Sequence, residues 1–310
     1  MLPAPPTPEP HTIEIEATNR CSAACTFCPH STMTRPKGSL CADDLARLLD
    51  EVDRWRPTAW LNDRAGEMVF PRINFAGLGE PTLHDDLPLL VSLCSERGYS
   101  TQVVTNGSHL TASVSERLLE VGLDRLVVSL HTLDPEAYWN LMRLRLSRTL
   151  PNVLHAMDAF LSAGREVELW RVRPLGWAPE VERADEARFA EMLRDRPGTI
   201  ILGPSDAWER DGTVDSVLPL ANDTSEAGIW CHNLFFSLPI CWDGEVPLCC
   251  VDYHRVSVPG GNAFRQPFSD ILAHRRSLYE ARDQGICRTC TKWVDTEYRH
   301  LVDRYFPRER

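Results

Sequence analysis

Between residues 12 and 203, short β-branched runs alternate with longer amphipathic stretches. The strand-like runs are IEIEA (13–17), RINFAG (72–77), TQVVTNG (101–107), DRLVVSLH (124–131), EVELWRV (166–172) and TIILG (199–203). Helical periodicity fills the spaces between them, at 41–54, 85–97, 111–121, 134–143, 150–163 and 180–195. Start and stop signals agree: Asp85 and Asp134 precede apolar periodicity, while Gly98, Gly122 and Gly164 follow it. Six strand–helix alternations predict an α/β fold with a parallel sheet and right-handed crossovers. Six units are too few for an eight-fold closed barrel, so the expectation is an open, partial (β/α)6 barrel.

The pattern changes after this region. Residues 204–228 read as a linker, and residues 1–11 as a loose Pro-rich leader. In 229–310 the expectation is a small second domain of hairpin plus helix. SLPICWDGEVPLCC (237–250) reads as two strands joined at Asp243-Gly244, a strong hairpin signal. An amphipathic helix follows at 268–284, and Cys287-Arg-Thr-Cys290 leads into a last helix near 292–305.

Composition narrows the function. No stretch approaches the roughly 20 apolar residues of a membrane span, and the leader lacks an apolar core, so a cytoplasmic location without membrane association is expected. The net charge of −11 argues against nucleic acid as a partner and suits a cationic substrate. Eleven cysteines in a reducing compartment point to metal ligation rather than disulfides. Cys21, Cys25 and Cys28 crowd together, and six more fall between 231 and 290. Cys41, Cys94 and Cys241 are expected to be packing residues.

Cys21-Ser-Ala-Ala-Cys25-Thr-Phe-Cys28 follows the first strand directly. Three thiolates on one short loop can hold three irons of a 4Fe–4S cluster and leave the fourth iron open to an external chelate. A zinc site would want a fourth protein ligand, and none is near in sequence. With an aromatic residue before its last cysteine, this Cys-x3-Cys-x2-Cys loop resembles that of the radical S-adenosylmethionine (SAM) superfamily. Further motifs match at successive strand ends. Gly77-Leu78-Gly79-Glu80-Pro81 resembles the family's GGEP motif, with Leu78 as a departure, and Thr105-Asn106-Gly107 resembles its TNG. The resemblance covers roughly 12–203. It implies that Phe27 lies by the adenine, that Gly77, Gly79, Glu80 and Pro81 hold the methionine amino group, and that Thr105 and Asn106 line the cofactor. It also implies a ribose or carboxylate contact from Ser129, and a carboxylate partner in Arg171 or Arg173.

The later cysteines resemble the shortened auxiliary-cluster extension, or twitch domain, related to the longer SPASM form. Cys231, Cys287, Cys290 and one of Cys249 and Cys250 would ligate a second 4Fe–4S centre, giving two clusters plus SAM as cofactors. A zinc site with the same cysteines is the alternative. Neighbouring residues on an extended strand face opposite ways, so the second thiol of the pair would be released toward the barrel mouth. There it can act as a hydrogen-atom donor. The chain most resembles the aminoglycoside-tailoring members of the superfamily, which implies an epimerase that inverts a sugar carbon of the neomycin type. That resemblance makes Cys249 the donor and Cys250 the ligand, whereas the Gly-x4-Cys spacing from Gly244 assigns them the other way. Dehydrogenation of an aminocyclitol and peptide maturation are the other reactions expected of such a chain. The short stretch ahead of the first strand leads to the expectation of a small cationic sugar rather than a peptide. Glu14, Glu16, Asp252 and His131 are candidate substrate contacts, and an external one-electron reductant of flavodoxin or ferredoxin type is the expected partner.

Overall fold

The computed structural model describes residues 10–55, 61–62, 68–69, 71–173, 177–206, 237–250, 252, 255 and 260–280. The alternation read from the sequence is realised. The strands are β1 (Thr12–Ile15), β2 (Leu61–Asn62), β3 (Met68–Val69), β4 (Arg72–Phe75), β5 (Thr101–Thr105), β6 (Arg125–Ser129), β7 (Glu166–Arg173), β8 (Thr199–Asp206) and β9 (Ser237–Ile240). The helices are α1 (Ala42–Trp55), α2 (Leu87–Ser95), α3 (Ala112–Glu120), α4 (Pro135–Met142), α5 (Leu146–Ser162), α6 (Pro179–Leu193) and α7 (Phe268–Glu280). Seven strands form one sheet in the order β8-β7-β6-β5-β4-β1-β9, and β2 and β3 pair separately. Every neighbouring pair in the large sheet is parallel. Its edges, β8 and β9, do not meet, so the sheet is an open partial barrel.

Strand alternation builds the core. Ile13, Ile15, Ile73, Phe75, Leu126, Val128, Val167 and Leu169 are fully buried against Leu45, Leu49, Leu90, Met157 and Phe160 of the helices. Intervening positions carry polar groups: Glu14, Asn74, Gln102 and Glu168 occupy the other face, where Gln102 Nε2 donates to Asn74 Oδ1 at 3.1 Å. A wholly apolar inner face would fill the barrel. These polar positions leave it able to meet a polar ligand.

The helix stops fall at the expected glycines, with Gly98, Gly122 and Gly164 all at positive φ. The Asp134 carboxylate accepts from the backbone N–H of Glu136 and Ala137, as expected of an N-cap. The cap position of α2 is Asp86 rather than Asp85. Cys94 is buried as expected, whereas Cys41, expected to pack, is exposed at the entry to α1.

The region expected to form a separate hairpin departs from its reading. The turn at Asp243-Gly244 is present, with Gly244 at φ 85° and Cys241 N donating to Glu245 O at 2.9 Å. Its first strand, however, is β9, which joins the barrel sheet parallel to β1 and places Ile240 opposite Ile15. Among the described residues, the other arm makes a single antiparallel bridge, from Glu245 to Asn262. A period-two pattern marks a strand but does not name its neighbour.

Candidate active site

The C-terminal ends of β1, β4, β5 and β6 bring the sequence motifs to one edge of the sheet, where parallel α/β folds place their sites. The loop 21–28 leaves β1, and its three cysteines are all half-buried. Cys28 N donates to Cys25 O at 3.1 Å, which closes a tight turn. Cys21 accepts from Ala23 N at 3.4 Å and from Asn106 Nδ2 at 3.8 Å. Asn106 Nδ2 also reaches Ser22 Oγ, and Ser22 meets Ser108. The thiol loop and the TNG turn are therefore tied together.

Burial pushes the Cys21 thiol up to about 11, and it raises Cys25 further, with Cys28 and Cys21 adding like charge. Three clustered thiolates in this environment need a cation to balance them. Among the described residues, no three His, Cys, Asp or Glu side chains converge as a single metal ion requires. A polynuclear cluster asks for something different, since each cysteine binds its own iron. The donor set fits a 4Fe–4S cluster with one iron left to an external ligand, and does not fit a mononuclear zinc site.

The glycine-rich turn is built for close approach. A Cβ on Gly79 would sit 1.8 Å from Thr18 O, and Gly77 holds φ 123° beside Glu16. Glu80 was expected to reach for the cofactor, but it is 1% exposed and its carboxylate is taken up inside the protein. It accepts from Thr82 Oγ1 at 2.6 Å, Thr105 Oγ1 at 2.6 Å and Asn106 N at 2.7 Å. Glu80 is a strut between the ends of β4 and β5. Gly77 is the exposed residue of this turn, with Gly79 half-buried beside it. Pro81 is buried behind it, opening a short helical turn.

Ser129 ends β6 and is half-buried. His131, a candidate substrate contact, is 4% exposed and packs edge-on against Phe27 with ring centroids 5.0 Å apart. Its Nδ1 accepts from Val172 N at 3.1 Å. Burial, with Arg171 nearby, lowers its pKa to about 4, so the ring is neutral at ordinary pH. His131 thus braces Phe27, and through it the cluster loop, against β7. Arg171 is not aimed at a bound carboxylate. Its guanidinium pairs with Asp185 of α6 at 2.9 Å and lies over the Phe189 ring at 3.9 Å, on the helix side of the sheet. Asp185 in turn accepts from Thr132 Oγ1 and Leu133 N. The side chain of Arg173 lies outside the described residues, as do Cys231, Cys287 and Cys290.

Cys249 and Cys250 do not lie on an extended strand. Cys249 O accepts from Asp252 N at 3.0 Å, making a turn, and Asp252 Oδ2 accepts from Leu248 N at 3.4 Å. The pair is distinguished by exposure instead of by strand face: Cys249 is buried and Cys250 half-buried. Both line a small cavity of about 40 Å³ together with Glu14, Glu16, Gly77 and Asp252. The motif turn, the thiol pair and three of the candidate substrate acids thus share one space.

Arg35, which lines this cavity, escaped the sequence reading. Glu16 is held by Arg35 in a two-pronged pair, at 2.6 and 3.1 Å, with both side chains 6% exposed. Burial works against the Arg35 charge, and Glu16 more than offsets it, so its pKa is raised. Cys241, buried as expected, lines the same cavity as this pair. Burial first, then Glu16, pushes its thiol up to about 12. No local spacing announces these partners. They meet only once β9 lies against β1.

An open parallel barrel with a three-thiol loop at its C-terminal edge defines an iron–sulfur enzyme that leaves one iron for an external ligand. Residues 15–176 match the Radical SAM superfamily over more than half of the chain, and the protein belongs to that superfamily. Residues 231–291 match the SPASM iron–sulfur cluster-binding domain. The cofactors are accordingly a 4Fe–4S cluster and SAM, with an auxiliary iron–sulfur cluster in the later region. A PqqA peptide cyclase of Streptomyces rochei is 26% identical over 89% of this chain and 80% of its own length. A GTP 3′,8-cyclase of Acidothermus cellulolyticus is 32% identical over 76% of this chain and 62% of its own. Coverage of the curated relatives varies widely, down to 29% for a PqqA peptide cyclase of Granulibacter bethesdensis. Among solved structures, BtrN in complex with AdoMet and 2-DOIA aligns over 93% of this chain and 94% of its own, with TM-score 0.53 and 20% identity. SuiB of Streptococcus suis bound to its precursor peptide SuiA aligns over 86% and 65%, with TM-score 0.59 and 16% identity. Both structural likenesses concern the fold.

Proposed function

We propose that this protein is a radical SAM epimerase that inverts one sugar carbon of an aminoglycoside, with Cys249 as the hydrogen-atom donor. The observation that carries the reading is the shared cavity of Cys249, Cys250, Glu14, Glu16 and Asp252 beside the Gly77 turn. When bound, the cluster and SAM supply a carbon-centred radical that removes hydrogen from an unactivated C–H bond.

The chain's own residues supply the rest. In this reading Cys21, Cys25 and Cys28 hold the cluster, the 77–79 backbone receives the methionine end of SAM, and Phe27 and Ser129 contact the nucleoside. Thr105 and Asn106 keep this edge in shape through Glu80. Glu14 and Asp252 offer negative charge to a polyamine substrate, while Glu16, committed to Arg35, sets the wall between them. The buried Cys249 thiol gives its hydrogen to the substrate radical from the opposite face. One electron and one solvent proton then restore the thiol, the electron coming from an external one-electron reductant. Cys231, Cys250, Cys287 and Cys290 would ligate the auxiliary centre, within a unit running from about residue 229 to the end of the chain.

A peptide substrate is the second reading, favoured by the Streptomyces rochei relative, which matches over most of both chains. Oxidation of an aminocyclitol is the third, in line with the BtrN complex with 2-DOIA. One experiment separates them. Reconstituted protein is incubated without oxygen in deuterated water with reductant, SAM and a neomycin-type aminoglycoside, and the product is analysed by mass and NMR. Inversion predicts one solvent deuteron fixed at the inverted carbon. Oxidation predicts the loss of two hydrogens. An unchanged sugar in a preparation that still cleaves SAM would remove the aminoglycoside reading.

A further inference from the structure

The thiol loop is fastened from behind to the last turn of α4. Ala24 N donates to Met142 O at 3.1 Å, and Thr26 N donates to Leu141 O at 2.9 Å. Cys25 Sγ lies 3.4 Å from Met142 Sδ, a direct contact between two polarisable sulfurs. Met142 is itself buried, but the chain reaches the surface at the very next residue.

What it exposes there is unusual for this protein. Residues 141–148 read LMRLRLSR, with no acid, in a chain of net charge −11. Arg143, Arg145 and Arg148 are all exposed, and among the described residues none of them pairs with a carboxylate. Arg143 holds the left-handed conformation that ends α4, with φ 57°. Beside the arginines runs an apolar groove of about 690 Å³, lined by Leu133, Trp139, Leu146, Leu150 and Leu154, with Arg145 at its rim. The Trp139 side is 46% exposed. The acids of α4, Asp134 and Glu136, open on a separate hollow with Thr26 and Trp177, and Asp134 faces Arg188.

We propose that this arginine patch and its groove are the docking surface for an acidic one-electron carrier protein, whose electron enters the thiol loop across the Cys25–Met142 contact. The inference rests on the superfamily assignment and not on the identity of the substrate. Enzymes of this class draw on external reductants, and electron tunnelling weakens steeply with distance, so a carrier must seat close to the loop. The barrel mouth is needed by SAM and substrate. The back of the loop is one buried methionine from solvent. A carrier with an acidic rim around its redox group would be repelled by most of this surface and attracted here, which fixes both rate and orientation. Exposed tryptophan and arginine are the side chains that dominate protein interfaces. The step balances simply: the carrier is oxidised by one electron, the cluster is reduced by one, and no bond forms or breaks.

The test uses the reconstituted holoenzyme and reduced flavodoxin as the probe. Calorimetry reads the complex, and the formation of 5′-deoxyadenosine reads electron delivery, with dithionite as a small reductant that needs no docking. In the triple variant R143E/R145E/R148E, flavodoxin affinity and flavodoxin-driven turnover should each fall by about tenfold or more, while dithionite-driven turnover stays level. Added salt should erode the unaltered protein's advantage in the same way. A control reversal at an exposed α1 position, Arg47→Glu, should leave both reductants alike. Met142→Leu should bind flavodoxin normally yet slow flavodoxin-driven reduction. Unchanged affinity in the triple variant, or an equal fall with both reductants, would overturn the proposal. If the unaltered protein yields no deoxyadenosine even with dithionite, the superfamily chemistry is at fault, and the calorimetry still decides the docking.

Discussion

Glu16 shows how a single side chain can belong to a site without facing its ligand. The sequence offers it as a candidate substrate contact, yet its carboxylate is spent on Arg35 inside the fold. Removing one partner of such a pair strands the other charge. Arg35→Met should therefore cost on the order of 3–5 kcal/mol, read as a fall in the unfolding midpoint, whereas replacing both with apolar residues should cost much less. Cys249 carries the sharpest functional expectation. Cys249→Ala should retain SAM cleavage and hydrogen abstraction but stop inversion. If Cys250→Ala does this instead, while Cys249→Ala loses the auxiliary cluster's absorbance, the two roles are exchanged. His131 adds a pH signature. Its folded pKa lies near 4, below the unfolded value of 6.5, so the unfolded chain binds the proton more readily. The stability this neutral ring provides is complete above about 6.5 and is lost as pH falls toward 4, by roughly 3 kcal/mol in all. Denaturation midpoints measured across that range in His131→Phe should lack this component.

The elements were far more legible than their partners. The six large-sheet strands of 12–206 and the six helices between them could be read because periodicity, caps and glycine stops are local signals, set within one or two turns of chain. Asp134 is an example, and Asp134→Ala should cost about 1 kcal/mol and loosen α4, measurable by hydrogen exchange at its first turn. What the sequence did not show was pairing across long separations. β9 reads as a strand, but only the folded sheet reveals that it lies against β1. Arg171 was placed correctly at the end of β7. Its facing was not, because the same alternation that buries Leu169 also turns Arg171 toward α6. The Cys249-Cys250 pair lines a cavity with Gly77, but strand alternation was the wrong rule for a segment that turns.

At the scale of the whole molecule, charge is divided by location. The chain as a whole is acidic, while the acid-free run that carries Arg143, Arg145 and Arg148 lies behind the thiol loop. Two partners of opposite sign can then be drawn to different sides without competing. A polycationic aminoglycoside should show a KM that climbs several-fold as ionic strength rises above roughly 0.1 M, where the Debye length falls below about 10 Å. A neutral substrate should show no such dependence, and initial-rate measurements over a salt series would separate the two.

The place of β9 in the sheet has a mechanical consequence. Because Ile240 is locked abreast of Ile15, the thiol pair is measured out from the same baseline as the loop that begins after β1. The spacing between these two reactive regions is thus stored in a count of residues from a shared row of backbone bonds. Inserting one residue between Ile240 and Cys249 would leave every side chain intact and still shift the thiol pair off its mark.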